Sequence, residues 1–478
     1  MIEGLEPEAL WRYFREIARI PRDSKKEAQA RQYVIRAADV LGLACKNDKA
    51  GNVLVSKPGV AGKAPVILQA HLDMVCEKDK ATLHDFAKDP ITLVHDGDWI
   101  RAEGTTLGAD NGIGVAALLA IMEDGSLLHP PLELLFTVDE ETGLTGAGMM
   151  EAGFFSGRIL INLDSEEDGT LTVGCAGGKD TDLTLDIPYG NAPKSHIPAL
   201  IQVKGLRGGH SGTDIHEGRG NAIKLLTRFL LNSPVDCLLA SMSGGSKHNA
   251  IPREAEAVVF VDPQDLPRLE SSASQYHAVF DQELSESGDH AQLSVHAITD
   301  AGRKAISQQM SKQMLDILNA LPHGVISVDI QQGMVMTSTN LAICRIKDGS
   351  LRISTNQRSI YPTAVKAVSD QVASIGRIAG AHVIHGHAYP AWIPDFASPV
   401  LGVAKGAYKT LFGAEPRVKV VHAGLECGVI GDKNPGIDML SIGPTIEQAH
   451  SPSERMNIAS VQRFYQFLLR ILEDLTGA

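Results

Sequence analysis

The segment Thr137-Val-Asp139-Glu140-Glu141-Thr-Gly143 sets three consecutive acids directly behind the apolar run Leu132-Glu-Leu-Leu-Phe-Thr-Val138. Charge of that kind is costly at the end of a buried strand unless something positive neutralises it. One glutamate could bind a metal while its neighbour takes a proton from an activated water. Other segments repeat the pattern. His71-Leu-Asp73 closes the run Pro65–His71. Residues two apart on a strand face the same way, so His71 could ligate a metal with Asp73 supporting it from behind. Asp110, in Gly108-Ala-Asp110-Asn111-Gly112, stands before a helix and could bridge two cations with its two oxygens. Asn162-Leu-Asp164-Ser-Glu-Glu167 again places acids after an apolar strand, and His450 lies far downstream in Gln448-Ala-His450-Ser-Pro452. Two histidines and several carboxylates without a thiolate suit zinc, manganese or cobalt with one position left for water.

Each segment also has a plainer reading. His71-Leu-Asp73 could be a polar strand end. Asp110 or Asn111 could cap the following helix. Both acid runs could be solvated loops, and His450 a surface residue. Gly112-Ile-Gly114-Val-Ala-Ala117 fits the G-x-G-x-x-A dinucleotide pattern, but Ala102–Gly108 before it makes a poor buried strand, and a glycine-rich turn explains the spacing as well. Arg207-Gly-Gly-His210-Ser-Gly212 could be an anion-binding loop or a tight turn. No G-x-x-x-x-G-K-[ST] occurs, so a P-loop nucleotidase is unsupported.

The elements that must position these residues alternate. Residues 7–42 read as two amphipathic helices, with Pro21 between them. Pro65–His71, Leu132–Val138 and Ile159–Asp164 read as buried strands, with a helix over Asn111–Met122. Apolar strands separated by helices predict an α/β sheet covered on both faces. From about residue 180 to 388 the strands alternate more openly (Ala199–Lys204, Ala255–Val261, Leu351–Thr355), with helices over Asn221–Leu231 and Lys366–Ala379. This predicts an α+β domain inserted into the first. The chain then returns to a buried strand, Arg417–His422, and closes with the helix Ile458–Leu475.

Composition agrees with two domains. The 478 residues exceed one ordinary core, and 44% apolar with 21% charged is a globular balance. A net charge of -13 disfavours nucleic acid and anionic lipid. The acidic N-terminus lacks the basic and apolar regions of a signal peptide, and no apolar stretch is long enough to span a membrane. Six scattered cysteines with no C-x-x-C pair predict a reducing compartment and no thiolate metal site.

As an ordered set the motifs resemble a known family. They are Gln69-Ala-His71-Leu-Asp73-Met-Val, Gly104-Thr-Thr-Leu-Gly-Ala-Asp110-Asn-Gly-Ile-Gly, Gly174-Cys-Ala-Gly-Gly178, Gly208-Gly-His210-Ser-Gly212, Asn249-Ala-Ile-Pro-Arg253-Glu, His422-Ala-Gly424-Leu-Glu426-Cys-Gly and Ser441-Ile-Gly-Pro-Thr-Ile. Nearly end to end, they resemble the co-catalytic metallopeptidases that include carnosinases and aminoacylases. The resemblance implies a mixed-sheet, zinc-exopeptidase-like α/β catalytic domain over residues 1–180 and 389–478, with an inserted α+β lid and dimerisation domain over 181–388. It implies two divalent metals, zinc with cobalt or manganese as alternatives, held by His71 and Asp164 on one side and Glu141 and His450 on the other, with Asp110 bridging. Glu140 would be the general base and Asp73 would orient His71. His210, Asn249, Arg358 and Gly424 would bind substrate. The implied reaction is hydrolysis of dipeptides, preferentially Xaa-His including β-alanyl-histidine, by a cytoplasmic homodimer. Relatives often carry Thr or another residue where this chain has Asp139, and the resemblance gives His422 and Glu426 no metal bond. An N-acyl amino acid deacylase, a tripeptidase, a non-catalytic binding protein and a dinucleotide-dependent oxidoreductase are the alternatives.

Overall fold

Runs buried on both faces form the strands that end in the candidate ligands. In the computed structural model, which describes residues 4–299 and 302–477, Val66–His71 is buried at all six positions. Leu132–Thr137 is buried everywhere but Glu133. Met1, Ile2 and Glu3, part of the stretch read above as lacking a signal peptide, lie outside the described residues. The two strands pair in parallel with His71 opposite Thr137, and Ile159–Asn162 joins on the other side with Asn162 opposite Gln69. All three therefore end close to one level, and the loops that follow share one edge of the sheet, where ligand sites form in open α/β sheets.

The chain folds into two compact units. The first comprises residues up to Cys175, Trp392–Val420 and Leu425 onward. Its mixed sheet runs Ala44–Asn47, Val53–Lys57, Leu132–Thr137, Val66–His71, Ile159–Asn162, Asp438–Ser441, Thr170–Cys175, Arg417–Val421. The expectation of a buried strand at Arg417–His422 is corrected. The strand ends at Val421, sits at the sheet edge, and exposes or half-exposes every residue, since an edge strand has only one neighbour to cover it. The helix Ala109–Glu123 is apolar all round and buried all round, against Glu8–Ile17 and the sheet. Among the described residues no helix is long and apolar enough to cross a membrane.

The second unit comprises Ala176–Ala391 with Val421–Gly424. Its antiparallel sheet runs Gln292–Ala297, Ile197–Lys204, Ala255–Val261, Leu238–Gly244, Met334–Lys347, Ser350–Ser359, Gly177–Asp186, His382–Tyr389, with Gly324–Asp329 paired separately to Met334–Lys347. Helices Ala222–Leu231, Leu266–Leu284, Gln308–Ala320 and Pro362–Ile378 supply apolar faces to its core of Ile201, Phe229, Phe280, Leu341 and Val372.

The loop that carries Asp110 is fixed by two buried charged side chains. Glu454 accepts the backbone N–H groups of Leu107 (2.8 Å), Gly108 (3.0 Å), Ala109 (2.8 Å) and Asp110 (3.4 Å). Burial raises the Glu454 pKa, and the N–H groups pull against that rise. Arg22 donates to the carbonyls of Leu72 (3.1 Å), Asp73 (2.9 Å) and Gly108. A Cβ at Gly108 or Gly112 would lie 2.5 or 2.7 Å from Arg22 Nη2, so glycine at both positions makes room for the guanidinium. We expect Glu454→Gln to remove about 2–3 kcal/mol from the unfolding free energy, since hydrogen bonds to a charged group are replaced by weaker ones. Denaturant unfolding of variant and parent measures it, and coincident curves would exclude this role.

Candidate metal centre

The carboxyl ends of the parallel strands supply His71, Glu140, Glu141 and Asp164 to one cluster, which Asp110 joins from the start of Ala109–Glu123 and His450 from a turn. His71 Nε2 lies 3.0 Å from Asp110 Oδ1 and 3.2 Å from Asp164 Oδ1. His450 Nε2 lies 2.9 Å from Asp110 Oδ2 and 3.0 Å from Glu141 Oε2. Each oxygen of Asp110 thus faces a different histidine, and the Nε2 of each histidine faces one further carboxylate. Donors bound to one tetrahedral ion at about 2.0–2.1 Å stand about 3.3 Å apart, so these spacings fit nitrogen and oxygen ligation of divalent cations. Glu141 Oε1 is buried without a hydrogen-bond partner, and one donor atom each from His71, Asp110 and Glu141 lies within 4.8 Å of the others. Glu140 is the carboxylate of the group that pairs with neither imidazole.

The electrostatics are those of a pocket with surplus negative charge. Burial raises Glu140 well above the carboxylate range; His71 opposes it, while Glu141, Asp164 and Glu426 add to it. Burial also raises Glu141 and takes Asp164 to about 6. Burial acts to lower both histidines, but the carboxylates win: Asp164 and Asp110 raise His71, and Asp110 with Glu141 raises His450 to about 12. Asp110 falls below its ordinary value, because hydrogen bonds from both histidines outweigh its burial.

The supports are buried and mostly backbone-directed. Asp73 is fully buried. It accepts the N–H of Glu140 (3.1 Å), the N–H of Glu141 (3.2 Å) and the Ser24 hydroxyl (2.8 Å). Its Oδ1 lies 3.4 Å from His71 Nδ1, at ion-pair distance but not aligned as a hydrogen bond. Burial pushes Asp73 up, but His71, the Glu140 N–H and Ser24 bring it to about 2. Asp139 makes the turn itself. Its φ is +50°, a left-handed conformation that aspartate tolerates better than most residues. Its N–H donates to Glu27 Oε1 (3.1 Å) and its carboxylate accepts from Thr142 Oγ1 (2.5 Å).

The plainer readings can now be weighed. Neither Asp110 nor Asn111 caps the helix with its side chain, because both Asp110 oxygens face the imidazoles and no side-chain cap hydrogen bond forms at this helix start. The Asn111 side chain instead accepts from the His71 N–H (3.3 Å) and donates to the Leu163 carbonyl (2.7 Å). A Cβ at Gly114 would lie 2.5 Å from Asn111 Oδ1 and 2.9 Å from the Leu163 carbonyl oxygen. The glycines of the dinucleotide-like pattern therefore accommodate Arg22, Asn111 and the chain at Leu163, which removes the reason to read a cofactor there. Glu426 is fully buried and accepts from Gln69 Nε2 (2.5 Å) and Thr137 Oγ1 (2.6 Å). Burial raises it to about 8. Sequence reading missed Glu454 and Arg22. The only sequence trace of either is the glycine spacing that makes room for Arg22.

The second unit places the other candidates in its own framework. The N–H groups of Gly212 (3.3 Å) and Thr213 (3.1 Å) point at His210 Nδ1, so Nδ1 accepts and the proton of the neutral ring is on Nε2. Gly209–His210 pairs with Ala250–Ile251, and the Ser211 N–H donates to the Asn249 carbonyl (2.8 Å). The Arg207–Gly212 segment is thus a paired turn. Arg358 is 4% exposed. Its partners are neutral: Asn356 Oδ1 (2.8 Å), Ser211 Oγ (3.3 Å) and Tyr389 Oη (2.7 Å). Gly424 lies against the Tyr389 ring. His422 bonds with Ser338 Oγ (2.7 Å), and burial, helped by Arg358, lowers it to about 3.

This geometry has known counterparts. The chain is 40% identical over 480 aligned residues to the cytosol non-specific dipeptidase of Escherichia coli, an alignment covering 99% of each protein. It matches the crystal structure of aminoacylhistidine dipeptidase from Vibrio alginolyticus with a TM-score of 0.84 and 39% identity, over 99% of this chain and 98% of that one. Human carnosine dipeptidase 1 shares the fold at a TM-score of 0.53 and 14% identity, over 98% of this chain and 97% of that one. Residues 67–474 match the model of peptidase family M20/M25/M40, and with it a divalent-metal requirement; the chain belongs to that family.

Proposed function

We propose that the protein is a cytoplasmic metallodipeptidase that hydrolyses Xaa-His dipeptides, β-alanyl-histidine among them. The observation that carries this reading is Asp110, whose two oxygens each face a different histidine–carboxylate pair. His71 and Asp164 would hold one divalent cation, Glu141 and His450 the other, and Asp110 would bridge them; zinc suits the donors, as do cobalt and manganese. Such cations supply a water of lowered pKa and polarise the scissile carbonyl. Glu140, the carboxylate outside both pairs, would accept a proton from the attacking water and pass it to the leaving amine. Asp73 holds the Glu140 and Glu141 backbone and faces His71, so it keeps base and ligands in register. His210 donates from Nε2 to the oxyanion, Asn249 and Gly424 contact the substrate, and Arg358 binds its terminal carboxylate.

The names of the bacterial relatives support the dipeptide and Xaa-His preference. The name of the first relative and six free thiols support the cytoplasm. The first unit would be the catalytic domain and the second the lid and dimerisation domain. Exposed Val325 (38%), Ile326 (47%), Val328 (53%) and Ile330 (90%) support association through the second unit.

Three outcomes are expected. Glu140→Gln retains both metals by elemental analysis but loses about 10²–10⁴-fold in kcat on a dipeptide; near-normal turnover would exclude it as the base. Asp110→Ala loses metal and activity together, and full metal content in that variant would exclude the bridge. Light scattering gives a dimer mass for the parent and a monomer mass for Ile326→Glu with Ile330→Glu; a parent monomer would remove the dimer.

A further inference from the structure

One row across the second unit's sheet links Arg358 to an aromatic side chain that the reaction scheme leaves unused. In register, Ser338 stands opposite Arg358, Arg358 opposite Gly178, and Gly178 opposite Tyr389. Arg358 and Tyr389 are thus two strands apart, about 10 Å between Cα atoms at ordinary strand spacing. Their side chains nevertheless meet, with Arg358 Nη1 donating to Tyr389 Oη at 2.7 Å. The contact passes over Gly178. A Cβ there would lie 2.5 Å from Tyr389 Cζ and 2.7 Å from Cε1, distances no carbon pair tolerates. The other side of the ring is limited by Gly424, whose Cβ would come 2.7 Å from Cε2.

We infer that Tyr389 is a positioning residue that fixes the Arg358 guanidinium for the substrate's terminal carboxylate, and that Gly178 and Gly424 are glycine so that its ring can lie there. The inference rests on the proposed role of Arg358. Asn356 and Ser211 hold Nε from one side, and Tyr389 holds Nη1 from the other. With both ends tied, the planar fork is held in one orientation. None of these three hydrogen-bond partners is anionic; Asp180, the acid that feels the guanidinium, bonds instead to Asn356 Nδ2 (2.7 Å) and pairs with His248 Nδ1 (3.1 Å). A rigid fork matches a carboxylate's two oxygens without ordering the side chain at the moment of binding.

The test compares Ala-His with its C-terminal amide on the metal-loaded enzyme. Tyr389→Phe keeps the ring and removes the hydroxyl. It should raise KM for Ala-His about three- to tenfold, the loss of one hydrogen bond, with kcat within about twofold. It should leave kcat/KM for the amide unchanged. Gly178→Ala should give the same split by displacing the ring. Unchanged KM in Tyr389→Phe, or an equal loss for acid and amide, overturns the inference. Arg358→Met separates the two readings. If it leaves KM for Ala-His unaltered, the carboxylate role of Arg358 fails and this inference with it. If it raises KM while Tyr389→Phe does not, only the role of Tyr389 fails.

Discussion

Buried negative charge at the ends of three parallel strands is the constraint on which the first unit depends. Asp73, Glu140, Glu141 and Asp164 follow those strands, and Asp110 joins them from a loop beside His71 and His450. Two like charges about 4 Å apart repel by about 4 kcal/mol at an effective dielectric of about 20. Several such pairs would equal the stability of a typical domain. The imidazoles offset part of this, as the raised His450 and lowered Asp110 show. The raised Glu140, Glu141 and Asp164 show that they do not offset all of it. A peptidase family that binds divalent metals has a direct use for such an imbalance, because the charge that disfavours folding is the charge that binds the cation.

The ligands are held against that repulsion by tying down backbone rather than by adding cations. Asp73 and Glu454 are both buried carboxylates, and both spend their oxygens on N–H groups beside the ligands. Arg22 takes the carbonyls on the other side of the same loop. Asp139 closes the corner in a left-handed conformation, so that Glu140 and Glu141 follow directly from a strand end. The two neighbouring glutamates differ in their contacts: Glu141 pairs with His450, while Glu140 feels the charge of His71 without pairing with either imidazole.

The strand-end parts of the candidate site were legible in the sequence because strand ends announce themselves. Leu-Leu-Phe-Thr-Val before Asp139 and Ile-Leu-Ile-Asn-Leu before Asp164 state both the burial of the strand and the point where it stops. His71 followed the same rule. His450 did not: the sequence offered it as a loop candidate, and only the family resemblance gave it a ligand role, since a histidine in a turn has no periodicity to place it. Glu454 was invisible for a physical reason: it acts on Ala109 across 345 residues, and no local pattern records a contact of that separation. The edge position of Arg417–Val421 was hidden in the same way, since an apolar strand does not state how many neighbours it has.

The second unit shows the complementary logic, in which glycine rather than charge decides the geometry. Gly178 was read as part of a motif without a mechanism. Its position between Arg358 and Tyr389 supplies one, because only a missing side chain lets two long ones meet across a central strand. A buried guanidinium whose hydrogen bonds go to neutral groups, with Asp180 acting on it only through the field, costs stability that a bound anion would offset. In this row, as at the strand ends of the first unit, the folded chain carries charge that its own contacts leave uncompensated. The two have opposite sign. Under the proposed function, a dipeptide's free carboxylate would supply the anion for one, and divalent cations would supply the positive charge for the other.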